Sequence, residues 1–177
     1  MSVKRVIPRL GGLSILCASL LLTAACSTTE PQGLDPDRQA FALREVKELQ
    51  AKGQRVWCVP FARNASGIDI RGNAETWWNQ AKGLYDQGRE PEVGAVMAFK
   101  STRSMPMGHV AVVSKVLSAR EVLIDHANWH RNQVSLNMAV VDVSEKNDWS
   151  AVRLQSNPDS FGSVYPVNGF IYPVIAQ

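Results

Sequence analysis

The sequence predicts an α+β fold in which helices come first and an antiparallel β-sheet follows. Apolar residues recur at helical spacing before position 88, and valine-rich stretches that alternate or run apolar begin after Pro91. A run of helices followed by a run of strands is typical of α+β domains, whereas helices and strands that alternate indicate a doubly wound sheet.

The helices are predicted from their end signals. Asp35 and Pro36 suit the N-cap and first position of a helix that runs to about Lys52. A second helix is predicted from about Cys58 to Ser66, and a third from near Asn73 to a point before Gly88.

The strands are predicted from their apolar alternation. Four stretches carry a clear strand pattern: Ala95–Phe99, Gly108–Leu117, Glu121–Ala127 and Gln133–Val141. Two further stretches, Trp149–Leu154 and Gly169–Pro173, are weaker candidates.

Composition and charge are those of a globular domain with no basic surface. The 177 residues are 45% hydrophobic and 20% charged, with a formal net charge of +3. Three of the nineteen basic residues (Lys4, Arg5 and Arg9) lie in the first ten positions, and the other sixteen equal the sixteen acidic residues. We therefore expect no nucleic-acid partner.

The N-terminus carries the pattern of an export signal. A basic start is followed by mostly apolar residues, as in secretory signal peptides, and the segment Leu22-Thr23-Ala24-Ala25-Cys26 resembles the bacterial lipobox. We expect residues 1–25 to be a lipoprotein signal peptide, Cys26 to carry lipid, residues 26–34 to be a tether and residues 35–177 to form one domain. An ordinary signal peptide beside a buried cysteine is the alternative.

Lipidation would make the lipid bilayer a partner of this chain. The residue after Cys26 is Ser27 rather than an aspartate, which resembles the outer-membrane sorting pattern. We therefore expect an exported lipoprotein on the periplasmic face of the outer membrane.

Cys58 is the candidate nucleophile. If Cys17 leaves with the leader and Cys26 carries lipid, Cys58 is the one thiol of the domain and has no partner for an intramolecular disulfide. Its place at a predicted helix start favours a thiolate with a lowered pKa. A buried, inert cysteine is the alternative.

Two of the three histidines end up on one predicted sheet face. A hairpin that turns at Ser118-Ala119 pairs His109 with Asn128 and places His126 nearby on the same face, because side chains alternate along a strand. Asp125 lies on the opposite face. His109 is thus a candidate general base, and His126 and Asn128 are candidates to orient it.

No metal and no cofactor are expected. Cys58, His109 and His126 lack the close paired spacing of structural zinc sites.

The motifs together resemble the CHAP domain, the cysteine, histidine-dependent amidohydrolase/peptidase family. The resemblance spans about residues 54–173 and rests on these segments: Val56-Trp57-Cys58-Val59-Pro60-Phe61-Ala62, Gly72-Asn73-Ala74 with Trp77-Trp78, Pro91-Glu92-Val93-Gly94-Ala95-Val96, Gly108-His109-Val110-Ala111-Val112-Val113 and Asp125-His126-Ala127-Asn128-Trp129.

The resemblance implies a papain-like fold, with N-terminal helices packed on a central antiparallel sheet. It implies Cys58 as nucleophile and His109 as general base. The family usually has a glutamate, then an asparagine two positions later, where this sequence has His126 and Asn128. The third catalytic member is therefore open among His126, Asn128 and Asp125.

By this resemblance the substrate is an amide bond in peptidoglycan or in a glutathionyl-polyamine. We predict a lipid-anchored peptidoglycan amidase or endopeptidase that acts on stem peptides, with Trp57 and Trp129 as candidate substrate-binding residues unless they are core aromatics. A catalytically silent cell-wall-binding or adaptor lipoprotein is the alternative. A thiol redox protein is disfavoured because no CxxC motif is present.

Overall fold

The computed structural model describes Met1 and residues 34–173, so the predicted lipidation site Cys26 and almost all of the predicted leader and tether lie outside the described residues. The elements are α1 (Pro36–Ala51), α2 (Cys58–Ser66), α3 (Ala74–Gln80), β1 (Gln87–Gly88), β2 (Val96–Phe99), β3 (His109–Ser118), β4 (Glu121–Ala127), β5 (Val134–Asp142), β6 (Ala151–Asn157) and β7 (Ser160–Ile171).

The strands form a closed antiparallel barrel. The hydrogen-bonded order is β1-β7-β2-β3-β4-β5-β6, and β6 pairs again with β7, so β2 to β7 make a ring of six strands. The long β7 closes this ring because its first half pairs with β6, up to Pro166, and its second half pairs with β2 from Val167 onward.

The predicted fold class is therefore wrong. The structure is mostly sheet, closed on itself, with three short helices outside it, and is not a papain-like α+β fold with helices packed on a central sheet. The error originates in β7, which the sequence indicated only as a weak strand at Gly169–Pro173. Its first half, Ser160–Pro166, has two exposed residues at its start and carries little apolar alternation, yet this half pairs with β6 and closes the barrel.

The individual helices begin where their sequence signals indicate. The Asp35 carboxylate accepts hydrogen bonds from the backbone N–H groups of Asp37 and Arg38, and Pro36 is the first helical residue. Helix α2 begins at Cys58 and ends at Gly67, whose φ of 79° suits glycine. Helix α3 is shorter than predicted, since it ends at Gln80.

Alternation along the strands separates two apolar cores. On β3, Val110 and Val112 pack in the core beneath the helices, whereas Ala111 and Val113 face the barrel interior. The two histidines share the parity of the interior residues, because His109 lies two residues before Ala111 on β3 and His126 lies two residues after Ile124 on β4. The helices thus cover one side of the β3–β4 pair, and the barrel interior holds the imidazoles.

The β3–β4 hairpin keeps the predicted pairing at two positions, whereas the predicted pair of His109 with Asn128 is not part of the ladder. Val112 lies opposite Asp125 and Val113 opposite Ile124, as the proposed turn at Ser118-Ala119 requires. Nearer the turn, two bulges shift the pairing, so that Ser118 lies opposite Glu121.

Asp125 connects this hairpin to the first helix. Its fully buried carboxyl group accepts hydrogen bonds from Gln39 Nε2 of α1 at 2.6 Å and from the backbone N–H of Asn137 at 2.8 Å. This side chain therefore contributes to stability on the helix-facing side of the sheet. Among residues 34–173, no helix is long and apolar enough to cross a membrane.

The contact between Gln39 and Asp125 can be measured with a double-mutant cycle. We expect Gln39→Ala and Asp125→Ala each to destabilise the protein, with a coupling energy of about 1–3 kcal/mol, because the bond is short and shielded from water. Urea unfolding of the wild type, both single variants and the double variant gives this coupling. Additive effects of the two substitutions would contradict it.

Candidate active site

Cys58 is the first residue of α2 and is only partly exposed. Trp57 before it is extended, and Phe61 and Ala62 after it are buried, so the apolar face of α2 holds the cysteine against the barrel. Backbone N–H groups of Val110, Val59 and Cys58 itself face the sulfur and act to lower its pKa.

Burial nevertheless raises the pKa of the Cys58 thiol, because the loss of solvent outweighs the three backbone N–H groups. This direction is opposite to the lowered pKa expected from a helix start alone. The thiol is therefore protonated at neutral pH in the free protein, and a base must remove its proton before it can attack.

His109 and His126 are in direct contact. His109 begins β3, His126 lies near the end of β4, and the His109 Nε2 and His126 Nδ1 atoms are 3.0 Å apart, within hydrogen-bonding distance. His109 is 5% exposed and His126 is fully buried. The bond occupies one nitrogen of the His109 ring, so Nδ1 is the nitrogen that remains for a thiol.

Both imidazoles are neutral at neutral pH. Burial lowers the pKa of His109 to about 3. Burial also lowers the pKa of His126 well below its usual value, and the positive charges that His109 and His130 would carry add to this effect.

Neutral rings can form the hydrogen bond in two tautomeric arrangements. If His109 Nε2–H donates to His126 Nδ1, then His109 Nδ1 keeps its lone pair and can act as a base. In that arrangement His126 carries its proton on Nε2, which is buried and has no hydrogen-bond partner in the described part of the chain.

Aromatic side chains enclose the histidine pair. Trp129 stacks on His126 with ring centroids 5.6 Å apart and meets His109 edge-on at 5.1 Å. Phe99 contacts His109 from the barrel, and Tyr165 of β7 contacts Trp129 at 5.0 Å. Trp129 thus shields the imidazoles from water, which explains their low pKa values.

The structure places Asn128 away from the role predicted for it. Its backbone is left-handed, with φ of 63°, and its Oδ1 accepts hydrogen bonds from the backbone N–H of Asn132 at 3.0 Å and from Arg55 Nε at 3.3 Å. No hydrogen bond between Asn128 and either histidine is present among residues 34–173. His126, not Asn128, is the side chain that contacts His109.

Cys58 and His109 line one cavity of about 970 Å³. The cavity is formed by the start of α2, the start of α3, the loop before β3 and the segment after β4, and includes Trp57, Asn128, Trp129 and Tyr165. Trp57 is 50% exposed, and the Arg55 guanidinium lies 4.2 Å from its ring centroid. In the described residues, no three His, Cys, Asp or Glu side chains are placed to hold a metal ion.

Two residues of the site were not predicted from the sequence. Arg55 sits between Trp57 and Asn128, and Asn132 Oδ1 accepts from the backbone N–H of Val56 at 2.9 Å, which fixes the strand-like segment before Cys58. Arg55 stands two positions before Trp57, and this spacing of a cation and an aromatic residue could have predicted that the two side chains stack. Asn132 had no local signal, because its contact partner is 76 positions away.

Comparison with known proteins agrees with this geometry. The family model of the CHAP domain matches residues 50–128, the segment that includes Cys58, His109, His126 and Asn128. This match confirms the resemblance over that segment, and residues 129–173 lie outside it. Members of this family are generally cysteine- and histidine-dependent amidohydrolases or peptidases. No curated protein matches the chain.

Gly108 positions His109, and its role can be tested against a matched glycine. Gly108 has φ of 65°, and an added Cβ would lie 2.8 Å from the backbone nitrogen of Glu75 at the start of α3. Gly53 has nearly the same φ of 67° but open space around it. We expect Gly108→Ala to lower the free energy of unfolding by about 1–3 kcal/mol more than Gly53→Ala, since the steric conflict adds to the backbone strain.

Urea unfolding of the two variants measures this difference. Equal losses would mean that the loop before β3 adjusts freely and does not fix His109.

The buried histidines should make stability depend on pH. A histidine whose pKa is lower in the folded than in the unfolded state stabilises the fold above the unfolded pKa, and this stability is lost as the pH falls. Between pH 6.5 and 5, the free energy of unfolding should decrease by up to about 1.4 kcal/mol per pH unit for each such histidine.

Urea unfolding at several pH values tests this for His109. The variant His109→Gln should show a shallower slope than the wild type. A slope unchanged by His109→Gln would contradict the buried, neutral His109.

Proposed function

We propose that this protein is a cysteine hydrolase that cleaves an amide or peptide bond in peptidoglycan, with Cys58 as nucleophile and His109 as general base. The observation that carries the proposal is the hydrogen bond of 3.0 Å between His109 Nε2 and His126 Nδ1 beside a cavity that Cys58 also lines. A nucleophile, a base and a group that orients the base are the parts that such chemistry requires.

The first step moves one proton and forms one bond. His109 Nδ1 takes the proton of the Cys58 thiol while the sulfur attacks the carbonyl carbon of the scissile amide. The carbonyl oxygen becomes an oxyanion, for which backbone N–H groups at the start of α2 are suitable donors. His109 then gives its proton to the leaving amine, the C–N bond breaks, and a thioester to Cys58 remains.

The second step repeats this sequence with water. His109 removes a proton from a water molecule, the hydroxide attacks the thioester, and the proton returns to the Cys58 sulfur as the carboxylic acid product leaves. In both steps His126 accepts the hydrogen bond from His109 Nε2–H, so that Nδ1 is the nitrogen that takes and returns the proton. In this role His126 replaces the usual acid of the triad.

One observation favours the silent-adaptor alternative. The raised pKa of Cys58 and the low pKa of His109 mean that no thiolate–imidazolium pair exists in the free protein. A binding protein on this scaffold would need no such pair. We favour the enzyme because His109 and His126 are buried at a cost in stability that a binding role does not explain.

The choice of bond is tested by digestion of purified muropeptides. Mass spectrometry of the new termini distinguishes an N-acetylmuramoyl-L-alanine amidase, which frees the whole stem peptide, from an endopeptidase, which cuts within the peptide. Intact muropeptides after prolonged incubation would favour the adaptor.

Substitutions test the proposed roles. Cys58→Ala and His109→Ala should each lower turnover by about 10³-fold or more, and the double variant should be no worse than either, because the two groups act as a unit. His126→Ala should lower kcat on the order of 10²-fold. Asp125→Asn should remain close to the wild type, since Asp125 faces α1 and not the cavity.

Kinetics on a single muropeptide compare these variants. Substantial turnover by Cys58→Ala would refute the nucleophile, and a collapse of turnover in Asp125→Asn beside a normal rate in His126→Ala would refute the assigned orienting residue.

We also propose that Cys26 is lipidated and anchors the protein to a bilayer, on the periplasmic face of the outer membrane. The support is the sequence alone, namely the apolar leader, the small residues before Cys26 and the serine after it.

Cys26→Ala tests the anchor. The variant should move from the membrane fraction to the soluble fraction, because the lipid supplies the attachment. Fractionation after a high-salt wash measures this, with Cys58→Ala as a control that should stay with membranes. A Cys26→Ala variant that still sediments with membranes would refute the anchor.

A further inference from the structure

The charged side chains that line the cavity beside Cys58 are positive. Two arginines, Arg55 and Arg63, line it, and no Asp, Glu or Lys does. Arg63 Nε lies 4.0 Å from a carboxylate oxygen of Asp69, so part of its charge is balanced. Within the described residues Arg55 makes no ion pair, and its charge is available to a ligand.

Arg55 is held in place although its surroundings are open. Its guanidinium carbon lies 4.2 Å from the ring centroid of Trp57, and its Nε donates to Asn128 Oδ1 at 3.3 Å. Asn128 Oδ1 is itself fixed by the backbone N–H of Asn132. The stacking and the bond on Nε leave the four N–H groups of the terminal nitrogens free, in the planar arrangement that binds a carboxylate through two parallel hydrogen bonds.

The position of Arg55 relates it to the reacting atoms. Arg55 is three residues before Cys58, a span of at most about 11 Å, and its partner Asn128 is two residues after His126 and next to Trp129. The guanidinium therefore bridges the two segments that carry the nucleophile and the histidine pair.

We propose that Arg55 binds a carboxylate of the substrate, so that the preferred substrate is an acidic peptide with a free carboxylate within about three residues of the cleaved bond. This inference rests on the proposed function, since it names the class of peptide that the Cys58 site accepts. Asn128 is then a positioning residue for Arg55, which accounts for its location at the cavity without contact to the histidines.

Binding to an inactive chain tests the inference without reference to hydrolysis. The probes are a soluble muropeptide with free stem-peptide carboxylates and the same muropeptide after conversion of its carboxylates to amides. Calorimetry with Cys58→Ala should show about tenfold or tighter binding of the free acid, and the preference should weaken at high salt. Adding Arg55→Gln should remove the preference for the acid and leave the affinity for the amide nearly unchanged.

Two further variants isolate the cause. Arg55→Lys keeps the charge but not the two parallel hydrogen bonds, and should retain only part of the preference. Arg44→Gln is the matched control: it removes the same charge from another arginine that lies over an aromatic ring, 5.8 Å from the centroid of Phe41, outside the cavity. It should leave the preference unchanged.

The outcomes separate this inference from the proposed function. Three results would overturn the carboxylate site even if the wild type cleaves muropeptides. These are equal affinity for the acid and the amide, no binding of either, or an equal loss of affinity for both in Arg55→Gln. An Arg55-dependent preference for the acid in a wild type that cleaves neither form would support the site and refute the hydrolase. In an active enzyme, Arg55→Gln should raise KM for the acid about tenfold with little change in kcat.

Discussion

The pairing of β3 with β4 is the constraint on which the site depends. With Val112 opposite Asp125, the side chains of His109 and His126 both point into the barrel, and Asp125 points to α1. A slip of β4 by one residue would exchange the faces of His126 and Asp125 and would also turn Val122 and Ile124 away from the barrel interior. Each of those side chains contributes about 1.5–3 kcal/mol on full burial, so together they outweigh one improved hydrogen bond to an acid, which is worth about 1.5–3 kcal/mol. Apolar packing thus decides that a histidine, rather than an aspartate, contacts His109.

The same burial decides the charge state. A buried site with no formal charge favours the neutral thiol and the neutral imidazole, and three backbone N–H groups near the sulfur do not reverse this preference. The proposed hydrolase therefore separates charge only during attack, when the developing negative charge passes from sulfur to the carbonyl oxygen near those same N–H groups. A second neutral imidazole is a suitable partner for such a site, because a buried carboxylate beside His109 would add a charge that the enclosing Trp129 and Phe99 cannot solvate.

Local sequence signals predicted the elements but not the closure of the barrel. Caps and apolar alternation depend only on neighbours in the chain. They predicted the helix starts at Pro36 and Cys58, the four main strands and the pairing near Val112. Closure depends on β7, whose pairing with both β6 and β2 is a long-range property that alternation in Ser160–Pro166 does not reveal. The pKa of Cys58 was likewise mispredicted, since a helix start is visible in the sequence and desolvation by the packed barrel is not. Sequence parity brought Asn128 towards His109, but its left-handed backbone turns the chain away at the end of β4.

The site has two electrostatic environments, a neutral one around the histidine pair and a positively charged one at Arg55. By closing the ring, β7 brings Tyr165 against Trp129, and Trp129 in turn covers His109 and His126, so the proton-transfer pair is dry and neutral. Arg55, in contrast, is exposed to solvent and stacked on the half-exposed Trp57. A full positive charge next to His109 would lower the pKa of this base further. The solvent-exposed charge of Arg55 attracts an anionic peptide without lowering that pKa. Asn128 and Trp129 connect the two environments. Asn128 holds the Arg55 guanidinium, and the next residue, Trp129, shields His109 from water.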